Sequence, residues 1–414
     1  MSKTYLIYIF VLLMILAPAA VLCSDNNCLN CHTEMEDNDG PSHLFTRDIH
    51  YQKGLLCHDC HGGNPALEDM DDVRKSRGFR GVPNHFQVPE FCARCHSDAA
   101  YMHDKNQSLP VDQLDKYKTS QHGQLLYGKK DGKVANCVSC HTSHQIGDPR
   151  MPYSTTYPLN LPAACGACHA NKDYMADYNI PTDQLDLYKQ SVHGNALLEK
   201  HDLGAPACND CHGNHGAVPP GVASLSAVCG QCHAIEADLF TNSPHFAAFT
   251  EFGYPMCETC HSKHKIVKPS DALIGWEKPA ICIECHDRDS DARITGIIDS
   301  IKTSLVVLAR RAESADSIIT QTDERGMETT DIMFLMKDVN QALIGTRTAV
   351  HSFDINKVAQ HAAVGLAKAD SIQVQAAGLI DEYYFRRWGL AIATLFITIL
   401  AIALYFKIRQ IEGR

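Results

Sequence analysis

The middle of the chain, from about Cys28 to His286, has few of the branched aliphatic side chains that fill an ordinary protein core. It is rich instead in Gly, Pro, His, Cys, Asp and Asn, so something other than side chains must occupy its interior. Alternating strand patterns are essentially missing, which predicts a mostly α fold of short helices and extensive loops. The sequence also lacks a Lys/Arg-rich run and carries a formal charge of −11, which argues against nucleic acid as a partner.

The N-terminal end is hydrophobic. A short basic start precedes an apolar run from Tyr5 to Leu22, a pattern typical of export signals, so residues 1–24 are predicted as a signal peptide. An uncleaved N-terminal anchor is the alternative. Cys23 raises the question of a lipoprotein, but Leu22 stands where lipidation sites have a small residue, which argues against lipidation.

The C-terminal end predicts a membrane helix. Trp388 to Phe406 is a run of 19 residues without a charge, long enough to span a bilayer. Residues 386–408 are therefore predicted as one transmembrane helix and 409–414 as a cytoplasmic tail, with a buried soluble helix as the alternative. Basic residues flank both ends of the run, so local charge alone does not orient it.

Residues 291–385 differ from the middle, because they have no cysteine or proline and little glycine. Apolar residues such as Ile294, Ile298 and Ile301 recur at helical spacing, which predicts two or three long helices. We call this segment the helical stalk. Its amphipathic faces allow either packing within one chain or a homo-oligomer.

The middle is built from a repeated unit in which each copy has a first and a second cysteine motif. Two copies share the segment Pro-x-Asp-Gln-Leu-Asp-x-Tyr-Lys, followed by a Ser-x-His-Gly that ends at Gly123 or Gly194. The stretches 112–122 and 183–193 in these copies are predicted as helices. First motifs begin at Cys28, Cys92, Cys165 and Cys229, second motifs at Cys57, Cys137, Cys208 and Cys257, and an extra motif at Cys282. These four paired copies and one motif predict a domain over residues 25–290.

Eighteen of the nineteen cysteines fall into Cys-x-x-Cys pairs, and each pair is followed at once by a histidine. This is the attachment signature of c-type haem, in which two thiols bond to the porphyrin vinyl groups and the histidine becomes an axial ligand of the iron. Zinc sites and disulfide frameworks would explain the paired cysteines but not a histidine after every pair. Nine covalently attached haems c are therefore predicted, and their porphyrins would supply the missing apolar bulk.

The haem-attaching cysteines are predicted to be Cys28, Cys31, Cys57, Cys60, Cys92, Cys95, Cys137, Cys140, Cys165, Cys168, Cys208, Cys211, Cys229, Cys232, Cys257, Cys260, Cys282 and Cys285. The proximal iron ligands are predicted to be His32, His61, His96, His141, His169, His212, His233, His261 and His286. No catalytic residue is assigned.

A second axial ligand is needed by each iron that is not catalytic. Candidates are the histidines that follow Ser-x, those three residues after a proximal histidine, and three that lie between early motifs. The predicted distal ligands are His43, His50, His85, His122, His144, His193, His215, His245 and His264. His351 is the reserve ligand should His43 fail. His58, His103 and His201 are predicted as surface residues or as neighbours of a ligand, and His361 is predicted as a histidine on a helix surface. Two histidines per iron leave no vacant position, which favours electron transfer.

These motifs resemble those of the multihaem c-type cytochromes, the broad group often labelled cytochrome c3-like. The resemblance covers roughly residues 25–290. It is carried by the nine Cys-x-x-Cys-His sites, by Ser-x-His-Gly at 120–123 and 191–194, by Cys57-His-Asp-Cys-His-Gly-Gly63 and by Cys208-Asn-Asp-Cys-His-Gly-Asn-His-Gly216. Within the group, the sequence is most similar to membrane-anchored members of bacterial respiratory chains.

The resemblance implies closely stacked bis-histidine haems. Electrons would pass between a membrane quinol-oxidising complex, with cytochrome b or iron–sulfur subunits, and other redox proteins that act as periplasmic or extracellular acceptors. Because haem c is attached outside the cytoplasmic membrane, the haem domain would lie on the periplasmic side of that membrane. The C-terminal helix would anchor it in the lipid bilayer.

An enzyme of the same broad group is the alternative, namely a multihaem oxidoreductase that acts on small nitrogen or sulfur compounds at one five-coordinate haem. Pentahaem nitrite reductases typically carry a haem motif with Lys in place of His, and no Cys-x-x-Cys-Lys occurs here. Octahaem hydroxylamine oxidoreductases depend on a Tyr cross-linked to a haem, and the 15 Tyr residues leave this possibility open. A structural or haem-storage protein is a third possibility, supported only by the same motifs.

Overall fold

The computed structural model describes residues 26–218 and 225–413. The predicted signal peptide and Cys23 lie outside the described residues. The chain forms two compact units that divide between Pro219 and Pro220. The second unit therefore combines the last three haem motifs with the helical stalk, whereas the boundary predicted from the sequence lies near residue 290.

The first unit consists of short helices joined by loops, and its described residues contain no strand. Its α-helices are Asn27–Met35, Pro41–Phe45, Ile49–Gln52, Cys57–His61, Met70–Lys75, Val88–His96, Ala99–Lys105, Gln113–Thr119, Gln121–Gly128, Cys137–His141, Leu161–His169, Lys172–Met175, Gln184–Lys189, Val192–Gly194 and Cys208–His212. Capping side chains begin equivalent helices in two copies: Asp98 accepts a hydrogen bond from Tyr101 N, and Asn171 accepts one from Tyr174 N, both at 3.0 Å. The predicted mostly α fold with extensive loops is confirmed.

The stretch 112–122 forms two helices, so the prediction of one helix was wrong. The first helix, Gln113–Thr119, ends before Ser120, which has an extended backbone. The Ser120 hydroxyl then accepts a hydrogen bond from Gly123 N at 2.9 Å and begins a new helix. The equivalent serine interrupts 183–193 in the same way. The error arose because apolar spacing does not reveal a capping residue inside a helical pattern.

The glycine of Ser-x-His-Gly is required by a close approach of the backbone. A Cβ on Gly123 would lie 1.9 Å from Tyr117 O, and the equivalent contact in the next copy would be 2.0 Å. The hydroxyl of Tyr117 donates a hydrogen bond to Ala135 O, just before the second motif, at 2.8 Å. The repeated Tyr, Ser and Gly therefore fix the backbone of the intervening histidine relative to the second motif of its copy.

The second unit contains the three long helices predicted for the stalk and membrane segments. Its α-helices are Leu225–Gly230, Ala234–Thr241, Pro244–Phe252, Glu258–His261, Ala292–Asp323, Thr330–Ala349 and Ile355–Glu412, with 3-10 turns at Asp271–Leu273, Cys282–Glu284 and Val350–Ser352. Ala315, Val339 and Ile372, one from each long helix, share one core cluster and are fully buried. This apolar packing holds the three helices together.

The last helix, Ile355–Glu412, continues from the stalk into the predicted membrane span without a break. Trp388, Phe396 and Leu400 in its final part are 59–70% exposed. The most apolar window of the helix has a mean hydropathy of 2.4, and the helix is long enough to cross a membrane. Exposed apolar side chains favour a membrane anchor over the alternative of a buried soluble helix.

Candidate haem-binding site

Three second motifs form five-residue helices, Cys57–His61, Cys137–His141 and Cys208–His212. The residue before the second cysteine caps each helix. Asp59 Oδ2, for example, accepts a hydrogen bond from Leu56 N at 2.7 Å. The residue after the histidine ends the helix: Gly62 has φ +71°, and a Cβ there would lie 1.8 Å from Gly78 O. The residues within and after the motif thus hold two thiols and one imidazole on a single helical turn.

In six pairs of described residues, a motif histidine faces a second imidazole ring, with 5.9–6.1 Å between the ring centres. The pairs, with the motif histidine first, are His61–His144, His96–His50, His141–His215, His169–His122, His261–His351 and His286–His245. A metal ion bound by imidazole nitrogens on opposite sides, at about 2 Å from each, separates the ring centres by about 6 Å. The facing rings therefore fit an iron porphyrin held between two histidines.

The pairs form two classes according to the angle between the ring planes. Histidines of the second motifs pair with nearly parallel rings, at 22° for His61–His144, 16° for His141–His215 and 26° for His261–His351. Histidines of the first motifs and of the extra motif pair with inclined rings, at 83° for His96–His50, 55° for His169–His122 and 85° for His286–His245. The class follows the position of the motif in the repeat.

Neighbouring copies of the repeat exchange histidines. His50 of the first copy faces His96 in the second copy, and His144 of the second copy faces His61 in the first. The equivalent exchange between the second and third copies pairs His122 with His169 and His215 with His141. Each of these four pairs is therefore built from two neighbouring copies of the repeat.

Burial favours the neutral form of these rings. Burial, together with the facing His215 and with His96, lowers the pKa of His141 to about 4. Burial also lowers the pKa of His122, and the nearby His169 adds to this effect. A neutral imidazole keeps a nitrogen lone pair, so such rings can bind iron at neutral pH.

His351 comes from the stalk, and its ring faces that of His261 at 6.0 Å. It lies in the 3-10 turn Val350–Ser352 between two long helices. Its Nδ1 lies 3.0 Å from Thr348 O and donates to it, which leaves Nε2 available as a ligand atom. His351 has no counterpart in the repeat, so the only sequence signal for it was an unassigned histidine.

His85 has protein partners at both ring nitrogens. Its Nε2 donates a hydrogen bond to Val134 O at 2.9 Å, and Asn136 Nδ2 donates one to its Nδ1 at 3.2 Å. An iron ligand needs one nitrogen free of such bonds, so this arrangement disfavours His85 as a ligand. His43, the other early candidate, lies on the helix Pro41–Phe45.

Two further predicted ligands have a local backbone structure like that of histidines that face a motif histidine. His193 lies on a helix that Ser191 begins, as Ser120 begins the helix of His122. His264, like His144, has a positive φ. His103, His201 and His361 are exposed, and His58 Nδ1 is buried without a hydrogen-bond partner among the described residues.

A family model for cytochrome c3 matches residues 49–170 and 200–287, which is about half of the chain. The chain belongs to the cytochrome c3 family. A second model, cytochrome c554 and c-prime, matches residues 14–62. Membership of this family implies that the chain binds haem c covalently.

Among curated proteins, the cytochrome is 23% identical to the C-type polyheme cytochrome OmcC of Geobacter sulfurreducens over 215 residues. The match covers 45% of this chain and 26% of the relative, so the chain spans about a quarter of that protein's length. No solved structure matches the cytochrome.

The thiols of successive motifs lie next to one another within each unit of the cytochrome. Thiols of Cys92 and Cys137, of Cys165 and Cys208, and of Cys229 and Cys257 influence each other's pKa through hydrogen bonding. Weaker electrostatic effects on the pKa join Cys28 with Cys57, Cys60 with Cys95, Cys140 with Cys165, and Cys260 with Cys282. Within a unit, spatial order therefore follows the order of the motifs in the sequence.

Over residues 26–218 and 225–413, no group of three or more His, Cys, Asp or Glu side chains is arranged to hold a metal ion directly. The two cysteines of each motif match the two thioether bonds of the haem c that the family binds.

Proposed function

We propose that this cytochrome carries nine haems c, each held by two histidines. The proximal ligand is the motif histidine at every site. The distal ligands are His43, His50, His122, His144, His193, His215, His245, His264 and His351. This set replaces His85 with His351. The single observation that carries the proposal is the facing of motif histidines and second imidazoles in six pairs about 6 Å apart.

Such sites suit a protein that transfers electrons from one haem to the next. Two histidines per iron leave no vacant position for a substrate, and the iron changes oxidation state with little rearrangement of its ligands. The adjacent thiols support a path, because haems attached through them would lie side by side in sequence order within each unit.

The membrane end of this path serves a quinol-oxidising complex with cytochrome b or iron–sulfur subunits. The motif ending at His286 and the apolar helix belong to one compact unit, which supports exchange of electrons close to a membrane. The acceptors are periplasmic or extracellular redox proteins. The haem sites lie outside the cytoplasmic membrane, since haem c is attached there and residues 1–24 have the pattern of an export signal.

The intact mass of the purified full chain tests the haem content. The expected mass is that of the polypeptide plus nine haems, and the ferrous protein should absorb as a c-type cytochrome. In the matched double variant Cys282→Ala/Cys285→Ala, the mass should fall by one haem and the two side-chain changes. A mass equal to that of the bare polypeptide would refute haem binding.

Reduction by a quinol tests the partner. Membranes that contain this cytochrome and a quinol-oxidising complex should reduce its haems rapidly when a quinol is added, and membranes without the complex should not. Equal rates in both preparations, or no reduction in either, would contradict the proposed partner while leaving the haem sites intact.

A second function is favoured by one observation at the first motif. Among the described residues, no second imidazole ring faces His32, and Glu36 Oε1 lies 2.7 Å from its Nδ1. A carboxylate at that nitrogen strengthens a histidine as a metal ligand. Such a haem with an open sixth position could act on small nitrogen or sulfur compounds. A high-spin signal of one haem that changes when nitrite or sulfite is added would favour this function, and its absence would favour ligation by His43.

A further inference from the structure

Asp48 is a buried carboxylate beside one of the facing histidines. It lies two residues before His50, and its side chain is 1% exposed. In the other copies of the repeat, the residue two positions before the corresponding histidine is Ser120, Ser191 or Ser243. The first copy therefore has a negative charge where the others have a hydroxyl.

Both carboxylate oxygens of Asp48 have partners. Its Oδ1 accepts hydrogen bonds from His50 N and from His50 Nδ1, each at 2.8 Å. Its Oδ2 accepts one from Ile146 N at 2.7 Å. Ile146 O in turn accepts a hydrogen bond from Ile49 N at 2.8 Å. Asp48 thus holds the ring of His50 and the loop just after His144, which faces another motif histidine.

The serine of the second copy lacks the contact with the ring. Ser120 Oγ accepts from Gly123 N at 2.9 Å and donates to Tyr117 O at 2.6 Å, so both of its bonds go to the backbone. Ser191 makes the same two backbone bonds in the third copy. The aspartate keeps the capping role of these serines and adds a charge that reaches the imidazole.

The carboxyl of Asp48 is ionised despite its burial. The His50 ring, His50 N and Ile146 N all donate hydrogen bonds to its two oxygens, and three N–H donors around one carboxyl favour its charged form. Since Nδ1 of His50 donates to the carboxylate, Nε2 is the ring nitrogen that remains to bind iron, and the ring centre lies 5.9 Å from that of His96. A carboxylate at this position makes the imidazole a stronger electron donor.

We propose that Asp48 is a positioning residue that lowers the reduction potential of the haem attached at Cys92 and Cys95. This inference depends on the proposed ligation of that haem by His96 and His50. The negative charge stabilises the more positive ferric state relative to the ferrous state, and it acts through the ring that it holds. Its second oxygen accepts the hydrogen bond from Ile146 N in the loop after His144, so one carboxylate contacts two neighbouring proposed haem sites.

The fourth copy offers a matched site without the carboxylate. His245 faces His286 at 5.9 Å and 85°, nearly the same geometry as His50 and His96 at 5.9 Å and 83°. However, Nδ1 of His245 and Oγ of Ser243 are buried without hydrogen-bond partners among the described residues. An aspartate at position 243 would give this ring the partner that His50 has.

The test compares redox titrations, followed by electron paramagnetic resonance (EPR), of three variants of the haem-loaded full chain. Asp48→Asn keeps the shape and removes the charge, and Asp48→Ser installs the residue of the other copies. Both should raise the potential of one low-spin haem with inclined rings by about 59 mV, the one-electron equivalent of a tenfold change in equilibrium constant. Ser243→Asp should lower the potential of the haem at Cys282 and Cys285.

The control is Asp115→Asn, which neutralises an exposed carboxylate and should leave every potential unchanged. Unchanged potentials in both Asp48 variants, with all haems present and low-spin, would overturn the inference. If the Asp48 variants lose haem, the test depends on Ser243→Asp. An unchanged potential of the haem at Cys282 and Cys285 in that variant would then overturn the inference. Failure of the proposed function itself is recognised separately, since the unmodified protein would then lack haem or low-spin signals.

Discussion

The two units complete their facing pairs in different ways. In the first unit, the second imidazole of the four pairs described above comes from the repeat. In the second unit, the stalk takes part: His351 faces His261, and the ring of Phe353 lies 3.8 Å from that of His245. A helical segment without any cysteine therefore contributes a ring to a facing pair, and in the proposed function it supplies an iron ligand.

The surroundings of two equivalent histidines also differ between the units. His50 has a buried carboxylate at Nδ1. Among the described residues, Nδ1 of His245 has no hydrogen-bond partner, and the aromatic ring of Phe353 covers the His245 ring. A charged partner favours the ferric state, and an apolar cover favours the less charged ferrous state. We therefore expect a lower potential at the His50 site than at the His245 site.

Among the variants that test the difference between the two units, His351→Ala is expected to have the largest effect. Removing this ring would leave the haem at Cys257 and Cys260 with one histidine, because His351 is the only stalk histidine that faces a motif histidine among the described residues. EPR should then show a high-spin signal equal to one haem. The control His361→Ala removes an exposed histidine nearby and should give no such signal. Fully low-spin haems in His351→Ala would contradict a role for the stalk in ligation.

A smaller effect is expected from a variant that weakens the packing of the stalk and leaves every proposed iron ligand in place. Ile372→Ala would leave a cavity in the cluster that includes Ala315 and Val339, and it should lower the free energy of unfolding by about 2–5 kcal/mol. Denaturant titration followed by circular dichroism measures this. The control Val374→Ala changes a residue that is 74% exposed on the same helix and should have little effect. Equal losses in the two variants would contradict the proposed packing.

The smallest expected effect concerns Phe353, whose φ of +51° is left-handed. Glycine adopts this conformation freely, so Phe353→Gly removes the ring without straining the turn. Water should then reach His245 and stabilise the ferric state, which lowers the potential of the haem at Cys282 and Cys285 by less than the Asp48 variants raise theirs. The control Phe252→Ala removes a ring that is 66% exposed. If a redox titration gives the same potential for this haem in both variants, the ring of Phe353 does not contribute to the difference between the His50 and His245 sites.

Much of the fold could be predicted because the helical spacing of apolar residues and the long apolar run are clear in the sequence. The helical spacing of Ile298 and Ile301 predicted the first stalk helix, and both residues are buried in it. The apolar run from Trp388 to Phe406 predicted the exposed end of the last helix. The break at Ser120 was missed because a serine inside an amphipathic pattern has the same spacing whether it caps a helix or lies on its surface.

The candidate site was predictable as far as the repeat reached. His122 and His144 were selected from the repeat, and the structure brings both opposite motif histidines, while their ligation of iron stays a prediction. His351 could not be ranked above His85, since neither belongs to the repeat and only the tertiary structure shows which ring faces another imidazole. Asp48 was missed because a change from Ser to Asp gains meaning only when the burial and the partners of its carboxylate are known.

EPR of the fully oxidised, haem-loaded protein is the decisive measurement. The orientation of the imidazole planes determines how the iron d orbitals split, so parallel and inclined rings give different low-spin signals. We predict low-spin iron of both kinds, with the parallel kind lost selectively when His144, His215 or His351 is replaced by alanine. A spectrum in which most of the iron is high-spin would contradict iron ligation between the facing histidines.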